Sequence, residues 1–318
     1  MSEATFDFDE LGYLQRLTLQ LTIGAAGLPE SLLAPHVDFL LQRQNQDGGW
    51  SGREGNSDLY YTSFALRSLA ILGLLDGPVA ERSASFLQSQ LSSRQSFVDL
   101  MSLIYSHQMI EAASSIDAFR EVQVDWATAV SALLAELRRY DGGFAKSIDG
   151  KASSTYQTFL IAICMELLDK QIDDPDRAIT FLRNQQQDDG GFLEIRVAKR
   201  SGVNPTAAAI GALRTMNGLD DEISEDAAEF LLELQADTRS GFPANTRMPM
   251  ADVLSTFTGL VTLWDLDRLA DADLLSAKRY VESMQRDGGF AGFELDPDKD
   301  VEYTFYGLGT LALLQAEI

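Results

Sequence analysis

The chain has 318 residues, 45% of them hydrophobic, with 25 basic against 48 acidic residues and a formal net charge of −23. That balance repels phosphate backbones and anionic lipid surfaces, which argues against nucleic-acid binding, and no uninterrupted run of about 18 apolar residues marks a membrane span. The acidic opening MSEATFDFDE lacks the basic-then-apolar order of a secretory leader, so a cytoplasmic protein is expected.

Residues 9–28 read as an N-terminal helix flanking the rest of the fold, with Asp7 and Asp9 as candidate caps. From there amphipathic and apolar stretches alternate. The amphipathic ones span 36–44, 79–90, 126–139, 176–187, 224–235 and 273–285. In the fifth, Ala227, Phe230, Leu231 and Leu234 fall at i, i+3, i+4 and i+7 while Glu225, Glu229 and Glu233 take the opposite side, which predicts a helix with one wet face. Asp173-Asp174-Pro175 and Ser224 followed by Glu225 and Asp226 suit helix starts. The apolar stretches, such as TFLIAICMELL (158–168) and FYGLGTLALL (305–314), lack a wet face and predict helices buried on most sides.

A short Gly-Gly-aromatic phrase separates the two kinds of helix: Gly48-Gly49-Trp50, Gly142-Gly143-Phe144, Gly190-Gly191-Phe192 and Gly288-Gly289-Phe290, with Ser96-Phe97 and Ser240-Gly241-Phe242 as degenerate copies. Marking the residue before each aromatic gives 49, 96, 143, 191, 241 and 289, hence steps of 47, 47, 48, 50 and 48. Glycine admits the left-handed backbone that ends a helix, and the aromatic can seal the turn. Six units of about 48 residues predict an all-α fold, an α/α toroid in which six outer and six inner helices close a double ring over residues 1–318 as a single domain. An open solenoid is the alternative; closure is preferred because the last unit stays apolar almost to its end, without a polar capping repeat.

Isolated chemistry-bearing residues are few. Cys164 is the single cysteine, so an intramolecular disulfide is excluded, and its apolar helix makes it a small buried hydrophobe. His36 and His107 have no metal-ligand spacing. The acidic surplus reads as solubility, with a basic protein partner as the other use for it.

The phrases FLLQRQNQDGGW (39–50), FLRNQQQDDGGF (181–192) and YVESMQRDGGF (280–290) resemble the prenyltransferase and squalene-cyclase repeat over essentially the whole chain. Length and the single ring look like the β subunit of the protein prenyltransferases, the Rab geranylgeranyltransferase type in particular, and SDLYYTSFALRSLAIL (57–72) is similar to its repeats. The resemblance implies an aromatic-lined central funnel for an isoprenoid chain. It also implies a zinc site, but the matching positions have changed. The Asp-x-Cys pair falls on Asp252 and Leu254, and the His of a His-Thr-x-aromatic-Gly phrase falls on Tyr303 in Tyr303-Thr304-Phe305-Tyr306-Gly307. Asp252 alone cannot hold zinc, which needs three or four thiolate, imidazole or carboxylate donors, so no cofactor is expected. The family's diphosphate-binding histidine aligns near Asn204, and its basic pair faces Met248-Pro249-Met250 with only Arg247 nearby.

Three readings follow. The first is a prenyltransferase-like enzyme without the usual zinc. Its pocket candidates are Asn204, Arg247, Asp252, Phe257, Asp300, Tyr303 and Tyr306, with Asp252 and Tyr303 placed at the polar rim as catalytic candidates. Asp58, Asp99 and Glu302 also begin inner helices, and Lys151, Arg196, Lys199 and Arg200 in flanking loops are possible anion partners. The plainer role for each Asp is a helix cap. Likewise Tyr60, Tyr61 and Tyr156 can line a funnel or simply pack the core. The second reading is a non-catalytic module that binds a lipid or docks a protein. The third is a class II terpene cyclase, which protonates an alkene or epoxide from a buried carboxylic acid. Its acidic phrase has only distant counterparts in Asp7-Phe8-Asp9-Glu10 and Asp296-Pro297-Asp298-Lys299-Asp300, and such enzymes usually carry a second barrel for which this chain has no room.

Overall fold

The computed structural model describes residues 11–91, 96–120, 122, 125–238 and 240–317, and the acidic phrase 7–10, with the cap candidates Asp7 and Asp9, lies outside them. Among the described residues thirteen α-helices account for the fold, and strand is confined to the two-residue pair β1 (Gln285–Arg286) and β2 (Gly289–Phe290). After α1 (Tyr13–Ala26) the helices alternate as predicted. The outer set is α2 (Glu30–Gln42), α4 (Gly77–Gln90), α6 (Trp126–Ala135), α8 (Pro175–Arg183), α10 (Asp221–Thr238) and α12 (Leu274–Ser283). The inner set is α3 (Leu59–Ile71), α5 (Phe97–Ser114), α7 (Thr155–Leu167), α9 (Val203–Thr215), α11 (Val253–Asp265) and α13 (Val301–Glu317).

Each inner helix packs on the next, and α13 packs back on α3, so the inner ring is closed. The glycine turns close the outer ring. Gly48 takes φ +92°, and a Cβ there would stand 2.1 Å from the Arg82 carbonyl oxygen of α4. Gly288, at φ +88°, meets the Pro35 oxygen of α2 at 2.3 Å in the same way, so the last turn docks on the first outer helix. His36 seals this seam: it is buried, stacks on Phe290 at 4.8 Å and has Nδ1 2.6 Å from the Gly288 carbonyl oxygen. Burial lowers its pKa, so the neutral ring that donates there is the favoured form.

The aromatic after the glycines does seal the turn. Trp50, Phe192, Phe242 and Phe290 are fully buried. Their backbone N–H groups donate to Thr62, Thr206, Thr256 and Thr304 of the following inner helix at 2.9–3.3 Å. Three sequence expectations need correction. The glycines do not terminate helices: α2 ends at Gln42, and Gly48 lies in a separate turn in which its N–H donates to the Asn45 carbonyl. Ser96-Phe97 is no copy of the turn, because Ser96 is the N-cap of α5 and Phe97 its first residue. Helix α10 starts at Asp221 rather than Ser224, with the Asp220 carboxylate accepting from the Ile223 N–H. Cys164 is fully buried, and desolvation pushes its thiol up to about 12.

Helix α1 does not flank the ring. It crosses one end of it, packing on α13 and α3, with Gly24 against the backbone of Ala312. Arg16 of α1 and Arg214 of α9 converge on the buried carboxylate of Asp265 at the end of α11, the Arg214 bond measuring 2.8 Å. The Tyr13 N–H donates to Glu166 at the end of α7 at 2.8 Å. These contacts all engage the C-terminal ends of inner helices, so α1 is the floor of the toroid.

Candidate functional site

Because the inner helices run parallel around the axis, their N-terminal turns gather at the end opposite α1. Between lies a cavity of about 480 Å³. Leu14, Leu17 and Leu21 of α1 form its floor, and Tyr60, Tyr156, Glu194, Asn204, Leu254 and Glu302 come from the first turns of the inner helices or the loop before α9. Tyr156 is 45% exposed, which locates the open mouth at this end. The walls are aromatic where α3, α5, α7, α11 and α13 turn Tyr60, Phe64, Tyr105, Phe159, Phe257, Phe305 and Tyr306 inward. Phe64 stands 5.0 Å from Tyr60 and 5.2 Å from Tyr306, and Phe257 stands 5.4 Å from both Phe305 and Tyr306, mostly edge to face.

The polar groups of the mouth are carboxylic acids rather than cations. Glu302 accepts a 2.7 Å hydrogen bond from Tyr60 Oη, and burial raises its pKa against that bond. Glu194 accepts from the Ser154 hydroxyl and the Tyr156 N–H, and burial raises it too. Thr258 donates to the Asn204 side-chain oxygen at 2.7 Å. Among the described residues, Arg67 of α3 is the sole cation in the cavity wall.

Of the sequence candidates, Asn204, Phe257 and Tyr306 line the cavity, whereas Asp252, Tyr303, Asp300 and Arg247 do not. Asp252 is the N-cap of α11, accepting from the Ser255 N–H at 2.7 Å and the Ser255 hydroxyl at 2.8 Å. Asp300 caps α13 through the Tyr303 N–H and pairs with Arg53 at 3.1 Å. Asp58 and Asp99 are likewise engaged at the starts of α3 and α5. Tyr303 lies against Gly292, close enough to the acids that burial, Glu302 and Asp252 together push its hydroxyl up to about 12. The loop cations Lys151, Arg196, Lys199, Arg200 and Arg247 are exposed, and none lines the cavity. Arg67, Phe64 and Phe305 were missed. Arg67 left a signal, as a lone charge inside the otherwise uncharged stretch TSFALRSLAIL.

The residues present do not fit the zinc the resemblance implies. Leu254 puts an apolar side chain into the cavity wall, both Asp252 oxygens are taken up by Ser255, and Tyr303 offers a phenol held in its protonated form. Among the described residues no group of three or more His, Cys, Asp or Glu could hold a metal ion. No helix there is long and apolar enough to cross a membrane.

A closed α/α ring with an aromatic core defines a class of protein, and the family follows from it. The model of the prenyltransferase alpha-alpha toroid domain matches residues 17–194 and 206–318, so the chain belongs to that family. No curated protein matches the sequence. Among solved structures, a variant of the type II terpene cyclase MstE from Scytonema, in complex with geranylgeranyl dihydroxybenzoate, is similar with TM-score 0.61 at 17% identity, over 96% of this chain and 99% of that one. Candida albicans protein geranylgeranyltransferase-I complexed with GGPP is similar with TM-score 0.51 at 14% identity, over 96% of this chain and 85% of that one. A possible GH105 member from Klebsiella pneumoniae has TM-score 0.52 at 12% identity, over 100% of this chain and 94% of that one. At such identities the likeness concerns the fold. It does correct one expectation: a terpene cyclase can have the size of this single ring, so the lack of room for a second barrel is no argument against that class.

Proposed function

We propose that the chain binds an isoprenoid in its central cavity and does so without zinc, so that prenyl transfer to a metal-activated thiol is not its activity. The observation that carries this is the cavity itself, closed at one end by α1 and walled by aromatic rings, since apolar clefts of this size with a few placed polar groups are small-molecule sites. The ligands in the names of two structural neighbours, GGPP and geranylgeranyl dihydroxybenzoate, support the isoprenoid class. A diphosphate leaving group is disfavoured, because among the described residues two carboxylic acids and no cation cluster stand at the mouth. Metal analysis of protein purified without chelator should give well below one zinc per chain, and stoichiometric zinc lost on Asp252→Ala would overturn this part.

A second reading is favoured by one observation, the Tyr60–Glu302 pair at the top of the aromatic wall. A Glu held toward its protonated form can deliver that proton to an alkene carbon. The next alkene's π pair then closes a C–C bond, ring faces shelter the carbocation, and loss of a proton to a carboxylate restores the acid, so the reaction is a balanced isomerisation. Calorimetric titration with geranylgeraniol, followed by mass-spectrometric analysis of the extracted ligand, tests both readings. Binding with unchanged ligand supports a carrier. A cyclised isomer that disappears in Glu302→Gln supports the cyclase. No binding of any isoprenoid would defeat the proposal and leave protein docking.

A further inference from the structure

Arg67 is a feature of the cavity wall, away from the polar mouth, that an all-hydrocarbon ligand does not explain. The other carboxylates and guanidiniums of the inner helices stand in a first or last turn, where water or a cap can serve them. Arg67 stands nine residues beyond the Asp58 cap, about 13 Å along the helix at ~1.5 Å per residue. Its guanidinium carbon lies 4.8 Å from the Phe64 ring centre, 4.7 Å from Tyr105 and 5.6 Å from Phe305. Three ring faces offer a cation some attraction, but they accept none of its five N–H donors in the way a carboxylate would. Among the described residues Arg67 makes no ion pair and no hydrogen bond to protein. Nε is enclosed without a partner, and the side chain lines the cavity. Glu302, which feels the Arg67 charge, lies beyond ion-pair distance and is engaged by Tyr60.

A half-buried guanidinium with an enclosed Nε and no acceptor beside it is open to an anion, and its two terminal amino groups match the spacing of one carboxylate. We infer that the cavity takes an amphiphile bearing a single carboxylate, which seats on Arg67 inside the aromatic wall while the hydrocarbon fills the space toward α1. This rests on the cavity being an isoprenoid site and adds the chemical class of the head group. A diphosphate fits less well, because a single cation beside two acids leaves most of its charge unmatched. The rings on which Arg67 lies hold its side chain in place, so little conformational freedom remains to be lost on binding.

The test compares geranylgeranoic acid, geranylgeraniol and geranylgeranyl diphosphate by calorimetry on the full chain at pH 7.5, with oleate and oleyl alcohol as non-isoprenoid probes. The acid should bind at least about tenfold tighter than the alcohol, a difference of ~1.4 kcal/mol. Arg67→Met, apolar and of similar length, should erase that preference while leaving alcohol binding within about threefold, which also shows that the variant folds. Arg67→Lys should restore part of the preference. The preference should fade as the pH is lowered toward the acid's own pKa, near ~4.5. Equal binding of acid and alcohol, a preference that survives Arg67→Met, or Arg67-dependent binding strongest for the diphosphate would each overturn the assignment. If oleate shows the Arg67-dependent preference but no isoprenoid binds, the carboxylate site stands and the isoprenoid reading falls. If no probe binds, both fall.

Discussion

The two ends of the inner ring both bury carboxyl groups, but in different company. At the floor, the buried carboxylate of Asp265 sits between Arg16 and Arg214 and fastens α1 across the ring. At the mouth, Glu302 and Glu194 are also withdrawn from water, but their partners are a tyrosine, a serine and a backbone amide, and burial pushes both toward the protonated form. Burial raises Asp265 as well, but there two guanidiniums oppose it and make the acid a structural latch, whereas an acid with only neutral hydrogen-bond donors is freer to hold a proton. Among the described residues the one cation of the cavity wall, Arg67, lies between the two ends and joins neither set of bonds.

Removing the latch should have the largest effect. Asp265→Ala leaves the half-buried guanidiniums of Arg16 and Arg214 facing each other without their shared buried carboxylate and should cost about 3 kcal/mol, read as a lower urea midpoint, with faster amide exchange in α1 than elsewhere. An unchanged midpoint would mean that α1 is held by its leucines alone. Next comes Gly288→Ala, which sets a Cβ at φ +88° against the Pro35 oxygen at the seam and should cost about 2 kcal/mol. The control Gly77→Ala, at φ +49° but with open space around it, should lose less. If the two cost the same, the seam does not hold the ring closed.

Asp252→Ala tests the mouth. As a cap it should cost about 0.5–2 kcal/mol in a thermal melt and leave ligand affinity within about twofold; a large loss of binding with little loss of stability would return Asp252 to the site. The smallest effect belongs to Glu302→Gln. With the folded-state pKa raised above the unfolded value, native Glu302 binds more protons across that interval, so the wild type loses stability as the pH rises through it. The Gln variant lacks that component. Its stability relative to wild type should rise from pH 4.5 upward and level off above the folded pKa. A difference independent of pH would show that Glu302 is not held toward its protonated form.

Much of the ring could be read from the chain. The spacing of the Gly-Gly-aromatic turns and the wet-dry alternation follow from local chemistry, and the toroid they predicted is the fold observed. The same local reasoning erred where position depended on packing. Ser96-Phe97 fell at the right interval yet begins a helix. The N-terminal helix looked like any amphipathic flank, because nothing within it says that Arg16 will meet Asp265 from 249 residues away. Asp252 and Tyr303 were placed at the rim by resemblance, but the rotation of α11 and α13 turns Leu254, Phe257, Glu302 and Phe305 to the cavity instead.

By itself the sequence determined what repeats: helix pairs, tight glycine turns and buried aromatics, all set by residues close in the chain. Only the tertiary structure decided which side chains share the cavity. A closed ring brings its first and last helices together, and the face each inner helix turns to the axis is fixed by neighbours far away in sequence. That is why Arg67, a single odd charge in an apolar stretch, becomes an unpaired cation among Phe64, Tyr105 and Phe305 only once α3, α5 and α13 are packed.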